Sequence, residues 1–105
     1  MDVIREKRDG RTVMKVQGTI SIYEISALHR QMLECFKECN DFIIDLGEVS
    51  DCDTAGAQLL CAARATVGPK GKSPTIDGIS KGVGRTLNRL GINPARIREQ
   101  AKEEK

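Results

Sequence analysis

The residues with the most chemical potential fall in one short stretch. Glu48 to Gly56 holds three carboxylates (Glu48, Asp51, Asp53), a thiol (Cys52) and two hydroxyls (Ser50, Thr54). Three carboxylates could ligate magnesium, but carboxylates ahead of a helix more commonly serve its positive end, and no metal is assigned. Asp53 is a natural N-cap, which puts Thr54 at or near the first helical position. Gly56 then falls inside the first turn, where glycine costs about 0.5–1 kcal/mol relative to alanine. Ala55, Gly56 and Ala57 leave this helix start almost bare, so another backbone or an oxyanion could approach its unpaired N–H groups. A plainer reading, a capped helix with small residues packed under a sheet, needs no function. A thiolate near a helix N-terminus has a lowered pKa, so Cys52 is expected to be the first cysteine to label.

Other reactive groups make weaker patterns. Cys35, Cys39, Cys52 and Cys61 form no C-x-x-C pair, and His29 is the single histidine, which leaves no zinc ligand set. Cys35 and Cys39 stand one helical turn apart and could clip a metal or form a redox pair. Such residues are more commonly reduced thiols packed as small hydrophobes. Gly68-Pro69-Lys70-Gly71-Lys72-Ser73 ends like a phosphate-binding loop, but Thr66 stands where its leading glycine belongs. That loop also follows a helix, whereas a P-loop follows a strand and opens a helix. No G-x-S-x-G occurs, and no cysteine stands in a nucleophile motif. The expectation is a protein that is not an enzyme and takes no cofactor.

Composition narrows the class further. Seventeen basic residues against 15 acidic give a net charge of +2, too near neutral to imply nucleic acid or membrane as partner. Tyr23, Phe36 and Phe42 are the only aromatics, too few for a base-stacking platform. The charged start has no apolar stretch of signal-peptide length, and the longest apolar run, Leu59 to Ala63, is far too short to span a bilayer. The chain is read as cytoplasmic, with residues 1–105 forming one domain that buries roughly 60–70% of its unfolded surface.

The elements that must position the 51–56 segment follow from periodicity. Val3 to Lys7 and Thr12 to Gln17 flank Asp9-Gly10, a hairpin signal, and Gly18 ends the second strand. Ile25, Leu28, Met32 and Phe36 recur at helical spacing, and Asn40-Asp41 closes that helix. Phe42 to Leu46 reads as a central strand covered on both faces. A loop, Gly47 to Cys52, leads to a helix from about Thr54 to Val67, stopped by Gly68-Pro69. Pro74 to Asp77 reads as a short strand. Ser80 caps a third helix carrying Val83, Leu87 and Leu90, and Gly91 stops it. Asn93 and Pro94 open a fourth, with Ile92 stapled onto Ile97, and charged residues 98–105 are expected to fray. This alternation calls for an α/β domain with a small mixed sheet and about four helices.

The run from Phe42 to Leu60 resembles the central signature of STAS domains: an apolar strand, Asp45-Leu46, Val49, then Asp53-Thr54-Ala55-Gly56 opening a helix. The resemblance extends from Gly18 to Ile79-Ser80 and Leu90-Gly91-Ile92, about residues 10 to 92. It implies a mixed sheet with helices packed mainly on one face, and a binding function without catalysis. In the anti-sigma-factor antagonists of this family, the hydroxyl residue after the signature aspartate is phosphorylated by a kinase that is also the anti-sigma factor. The match makes Thr54 the phosphorylation candidate, and Asp51, Cys52, Asp53, Thr54, Ala55 and Gly56 the partner-binding segment, in a protein of bacterial signalling and transcription regulation. Asp-Thr-Ala-Gly also resembles constitutive STAS subunits of phospholipid-transporting ABC systems and chemosensory assemblies, where the partner is a transport ATPase. Gly18 is followed by Thr19-Ile20-Ser21, where many antagonists carry an acidic residue.

Overall fold

The computed structural model describes residues 1–39, 42–66 and 73–98. Two strands open the chain, β1 (Asp2–Arg8) and β2 (Arg11–Ile20), joined at Asp9-Gly10 and paired antiparallel from Asp2↔Gln17 to Arg8↔Arg11. A single 3-10 turn, Ile22–Glu24, leads into α1 (Ile25–Glu38). Then come β3 (Phe42–Cys52), α2 (Thr54–Ala65), β4 (Thr75–Asp77), α3 (Lys81–Arg89) and the five-residue α4 (Pro94–Arg98). The sheet order is β1-β2-β3-β4, with β2/β3 and β3/β4 parallel, so the expected mixed sheet is present.

One face of the sheet carries the core. Met14, Val16 and Ile20 of β2, with Ile44, Leu46, Val49 and Cys52 of β3, meet Leu28, Met32 and Cys35 of α1. Ala57, Leu60 and Ala63 of α2, Val83 and Leu87 of α3, Ile97 of α4, and Phe42 and Ile76 of the strands complete the same cluster. Each helix thus turns its apolar stripe to this one face, as period-3.6 patterning requires. The other face pairs the buried Val13 and Ile43 and surrounds them with charge: Arg8 reaches Asp45 at 3.1 Å, and Lys15 reaches Glu48 at 2.9 Å. Such exposed pairs add little stability each, but they keep the face soluble.

β3 does not stop at Leu46. It runs to Cys52, because β2 also continues past Gly18 and Gln17–Ile20 pairs with Glu48–Cys52 through two register shifts. Burial in this half falls on Leu46, Val49 and Cys52, every third residue, so the alternation that marks a strand is lost. The expected loop from Gly47 to Cys52 is therefore strand.

Smaller differences have equally local causes. α2 ends at Ala65 rather than Val67, where Thr66 turns extended and its hydroxyl donates to the Ala62 carbonyl at 2.7 Å. Gly68-Pro69 and most of the Gly-Lys-Ser segment lie outside the described residues, as does 99–105, where fraying was expected. Ser80 caps α3 as anticipated, accepting from the Val83 N–H at 3.3 Å. Leu90 does not join the apolar stripe and is 40% exposed. The chain reverses there in a Schellman turn, with the Ile92 N–H donating to the Leu87 carbonyl at 2.8 Å and the Gly91 N–H to Asn88 at 3.0 Å.

α3 presses its first turn against the end of β3. A Cβ at Gly82 would stand 2.3 Å from the Ser50 carbonyl oxygen and 3.1 Å from the Asp51 Cα, both backbone atoms that cannot step aside. Gly82→Ala should therefore destabilise by about 2 kcal/mol or more, despite alanine's better helix propensity, read as a lower urea midpoint at unchanged slope. Stability equal to that of the parent chain would contradict this packing.

Candidate functional site at the start of helix α2

Asp53 organises the site. Its N–H donates to the Ile20 carbonyl at 3.0 Å, which carries the last pairing of β2 beyond β3. One carboxylate oxygen, Oδ1, accepts from the Gly56 N–H at 3.0 Å and caps α2. The other, Oδ2, accepts from the Ile22 N–H at 2.8 Å and so holds the 3-10 turn against the helix start. A single ionised side chain thus ties together two segments 31 residues apart in sequence.

The small residues of the first turn face inward. A Cβ at Gly56 would lie 2.7 Å from both the Cys52 sulfur and the Ile20 Cγ2, so α2 enters the fold at a distance only glycine permits. Ala57 is fully buried. The expectation that bare residues open the helix to an approaching partner is corrected for Gly56 and Cys52: both are buried against the strand ends. From the predicted segment, Asp51, Asp53 and Thr54 are exposed and Ala55 is half-buried.

Cys52 also corrects the expectation of an activated thiol. Burial, and then the nearby Asp53 and Asp51 carboxylates, push its pKa up to about 11. Its sulfur lies 3.5 Å from the Asp53 carbonyl, to which it donates. Desolvation and like charge outweigh the helix dipole here.

The three carboxylates do not converge. Glu48 accepts from Lys15 and from Gln17 on the charged face of the sheet, and the Lys15 ammonium holds its carboxyl below the usual range. Asp51 Oδ1 accepts from the Cys52 N–H at 2.9 Å. Among the described residues no group of three or more His, Cys, Asp or Glu is placed to hold a metal ion.

Residues the sequence reading passed over complete the surface. Arg89 and Leu90, at the far end of α3, share an open depression of about 390 Å³ with Asp51, Asp53 and Thr54. Thr86 anchors this corner by donating to the Cys52 carbonyl, and Arg89 Nη2 donates to the Thr86 hydroxyl at 3.1 Å. On the opposite side, the 3-10 turn held by Asp53 carries Ile22, 63% exposed, and Tyr23, 92% exposed. Ser21, which accepts from the Tyr23 N–H and caps that turn, was the one local signal in the sequence.

A mixed four-stranded sheet with helices on one face, and a capped helix start bearing an exposed hydroxyl at the end of the central strand, defines the STAS class. The chain belongs to that family: the family model described as Mlab, STAS domain, matches residues 4–99. In fold it is similar to the crystal structure of an anti-sigma factor antagonist from Mycobacterium paratuberculosis, with a TM-score of 0.71 and 20% identity. That match covers 89% of this chain and 85% of the other. No curated protein matches the chain. No helix among the described residues is long and apolar enough to cross a membrane.

Two measurements test this site. Asp53→Ala removes both acceptors and should cost about 2–3 kcal/mol, whereas Asp53→Asn keeps one carbonyl acceptor and should cost about half as much. An Asp53→Asn variant as stable as the parent chain in chemical denaturation would show that the second carboxylate bond contributes nothing. Cys52 and Cys35 both have thiol pKa values pushed up by burial from an ordinary 9.0 to about 11. The folded state therefore holds those protons longer than the unfolded chain. The stability they confer is complete below about pH 9 and falls as pH climbs toward 11. Thermal melts across that window should show the decline, and Cys52→Ala should reduce it while leaving the part due to Cys35.

Proposed function

We propose that this chain is a regulatory protein–protein interaction module, with no chemistry of its own, switched by phosphorylation of Thr54 by a kinase-like anti-sigma factor in the cytoplasm. The observation that carries the reading is the position of Thr54. It is exposed on the first turn of α2, in one depression with Arg89 and Leu90 and next to Asp53, which bonds the turn carrying the exposed Ile22 and Tyr23. Phosphate there would add about −1.5 to −2 charges beside Asp51 and Asp53. A partner complementary to the neutral hydroxyl would meet that charge desolvated, and a loss of about 3 kcal/mol weakens binding more than a hundredfold. The fold likeness to an anti-sigma factor antagonist supports this reading.

A constitutive reading is favoured by a different observation. Asp53 already uses both carboxylate oxygens, so the docking surface is formed without any modification. In that case the chain is a standing STAS subunit of an ABC phospholipid-transport or chemosensory complex, with a transport ATPase as one such partner.

Thr54→Glu and Thr54→Ala separate the two. A phospho-switch requires that Glu lower partner capture at least tenfold while Ala preserves it, with Thr54 gaining one phosphate by mass spectrometry when the kinase-like ATPases encoded nearby are supplied with ATP. Equal capture by both variants, with no transfer, would overturn the switch and leave the constitutive reading.

A further inference from the structure

A second reactive centre lies at the opposite end of α1 from the site above. Cys35 is fully buried in the core, and Cys39, which ends α1, is half-buried. The Cys39 N–H donates to the Cys35 carbonyl at 2.9 Å, so the two cysteines stand one helical turn apart at the end of α1. Arg5 of β1 stands over both: its guanidinium donates to Glu38 at 2.7 Å, lies 3.7 Å from Glu34, and is close enough for its field to reach each sulfur. Cys39 also lines an open depression of about 530 Å³ with Arg5, Lys7, Arg11, Glu6 and Glu38. Three cations against two carboxylates make that depression net basic. A half-buried thiol lining a basic hollow, with a buried thiol one helical turn before it, is a combination that Cys61 and Cys52 lack.

We propose that Cys39 is a thiol-modification site for an anionic low-molecular-weight disulfide of the glutathione class, and that Cys35 resolves the adduct into a Cys35–Cys39 disulfide. In the first step the Cys39 thiolate attacks one sulfur of the small disulfide, that S–S bond breaks, and one small thiolate leaves. In the second, Cys35 loses its proton to solvent and attacks the Cys39 sulfur, expelling the second small thiolate. The protein thiols give up two electrons and the small disulfide takes them. The carboxylates of the incoming disulfide suit Arg5, Lys7 and Arg11.

Geometry allows the closure. Helix neighbours four apart have Cβ atoms about 5–6 Å apart, and a disulfide needs about 3.8 Å. Cys39 has already left helical geometry at φ −117° and ψ 136°, so it can supply that movement. The charged and titratable groups facing the pair are Arg5 from β1, which favours thiolate, and Glu38 from α1, which opposes it. Burial dominates at Cys35 and pushes its thiol up to about 11, so the second step is slow near neutrality. It should quicken about tenfold per pH unit below that value.

The test incubates the full native chain with excess glutathione disulfide, followed by intact mass and peptide mapping. Near pH 7 one glutathionyl group should accumulate on Cys39, at least tenfold faster than on Cys61. Near pH 9 it should give way to a species lighter than the reduced chain by two hydrogens, with Cys35 and Cys39 linked. Cys35→Ala, which leaves a small apolar side chain in the core, should keep the adduct on Cys39 at both pH values. Modification of Cys61 as fast as Cys39, or an adduct on the parent chain that persists near pH 9 as it does in Cys35→Ala, would overturn the proposal.

Discussion

The arrangement of this end of the molecule depends on one carboxylate. Asp53 accepts two backbone N–H bonds, from Gly56 in its own helix and from Ile22 in a turn that follows another strand. Bonds to an ionised acceptor are stronger than neutral ones, and each of these satisfies a donor that a helix or 3-10 start would otherwise leave open. With Asp53 in place, α2 enters directly from β3 and the Ile22-Tyr23 turn lies beside Thr54. Without it, the two halves of the exposed surface have no common support.

Close packing of helices on strand ends supplies the rest. Gly56 brings α2 onto Ile20 and Cys52, while Gly82 brings α3 onto Ser50 and Asp51. Thr86 then bonds the Cys52 carbonyl, so the last residues of β3 are gripped from two helices. The extended parallel pairing of β2 and β3 to Ile20 and Cys52 makes this possible by carrying the strand end into the space between them. A site built this way is closely packed under the hydroxyl and open above it.

Much of the fold was legible in the residues because local rules and global fold agree. The Asp9-Gly10 hairpin, the helical spacing of Ile25, Leu28, Met32 and Phe36, and the Ser80 and Asn93 caps each have one-dimensional signals. Leu90 fitted the same spacing and still ended up in solvent, because the Schellman turn at Gly91 reverses the chain before its side chain can reach the core. The second half of β3 gave no strand signal because its bulged register buries every third residue.

For the site, the sequence by itself determined that Asp53 caps a helix, that Thr54 sits on its first turn, and that small residues follow. These are properties of neighbours in the chain, where capping and propensity act within four residues. Only the tertiary structure decided which way those residues face. Gly56 and Cys52 turn inward because Ile20, 36 positions before Gly56, occupies the space beside them. Burial likewise reversed the expected activation of Cys52, since desolvation depends on what packs around a thiol and not on its place in the sequence. Arg89 and Leu90 come to share a depression with Thr54, and Ile22 comes to bond Asp53, because the fold brings the ends of distant segments together.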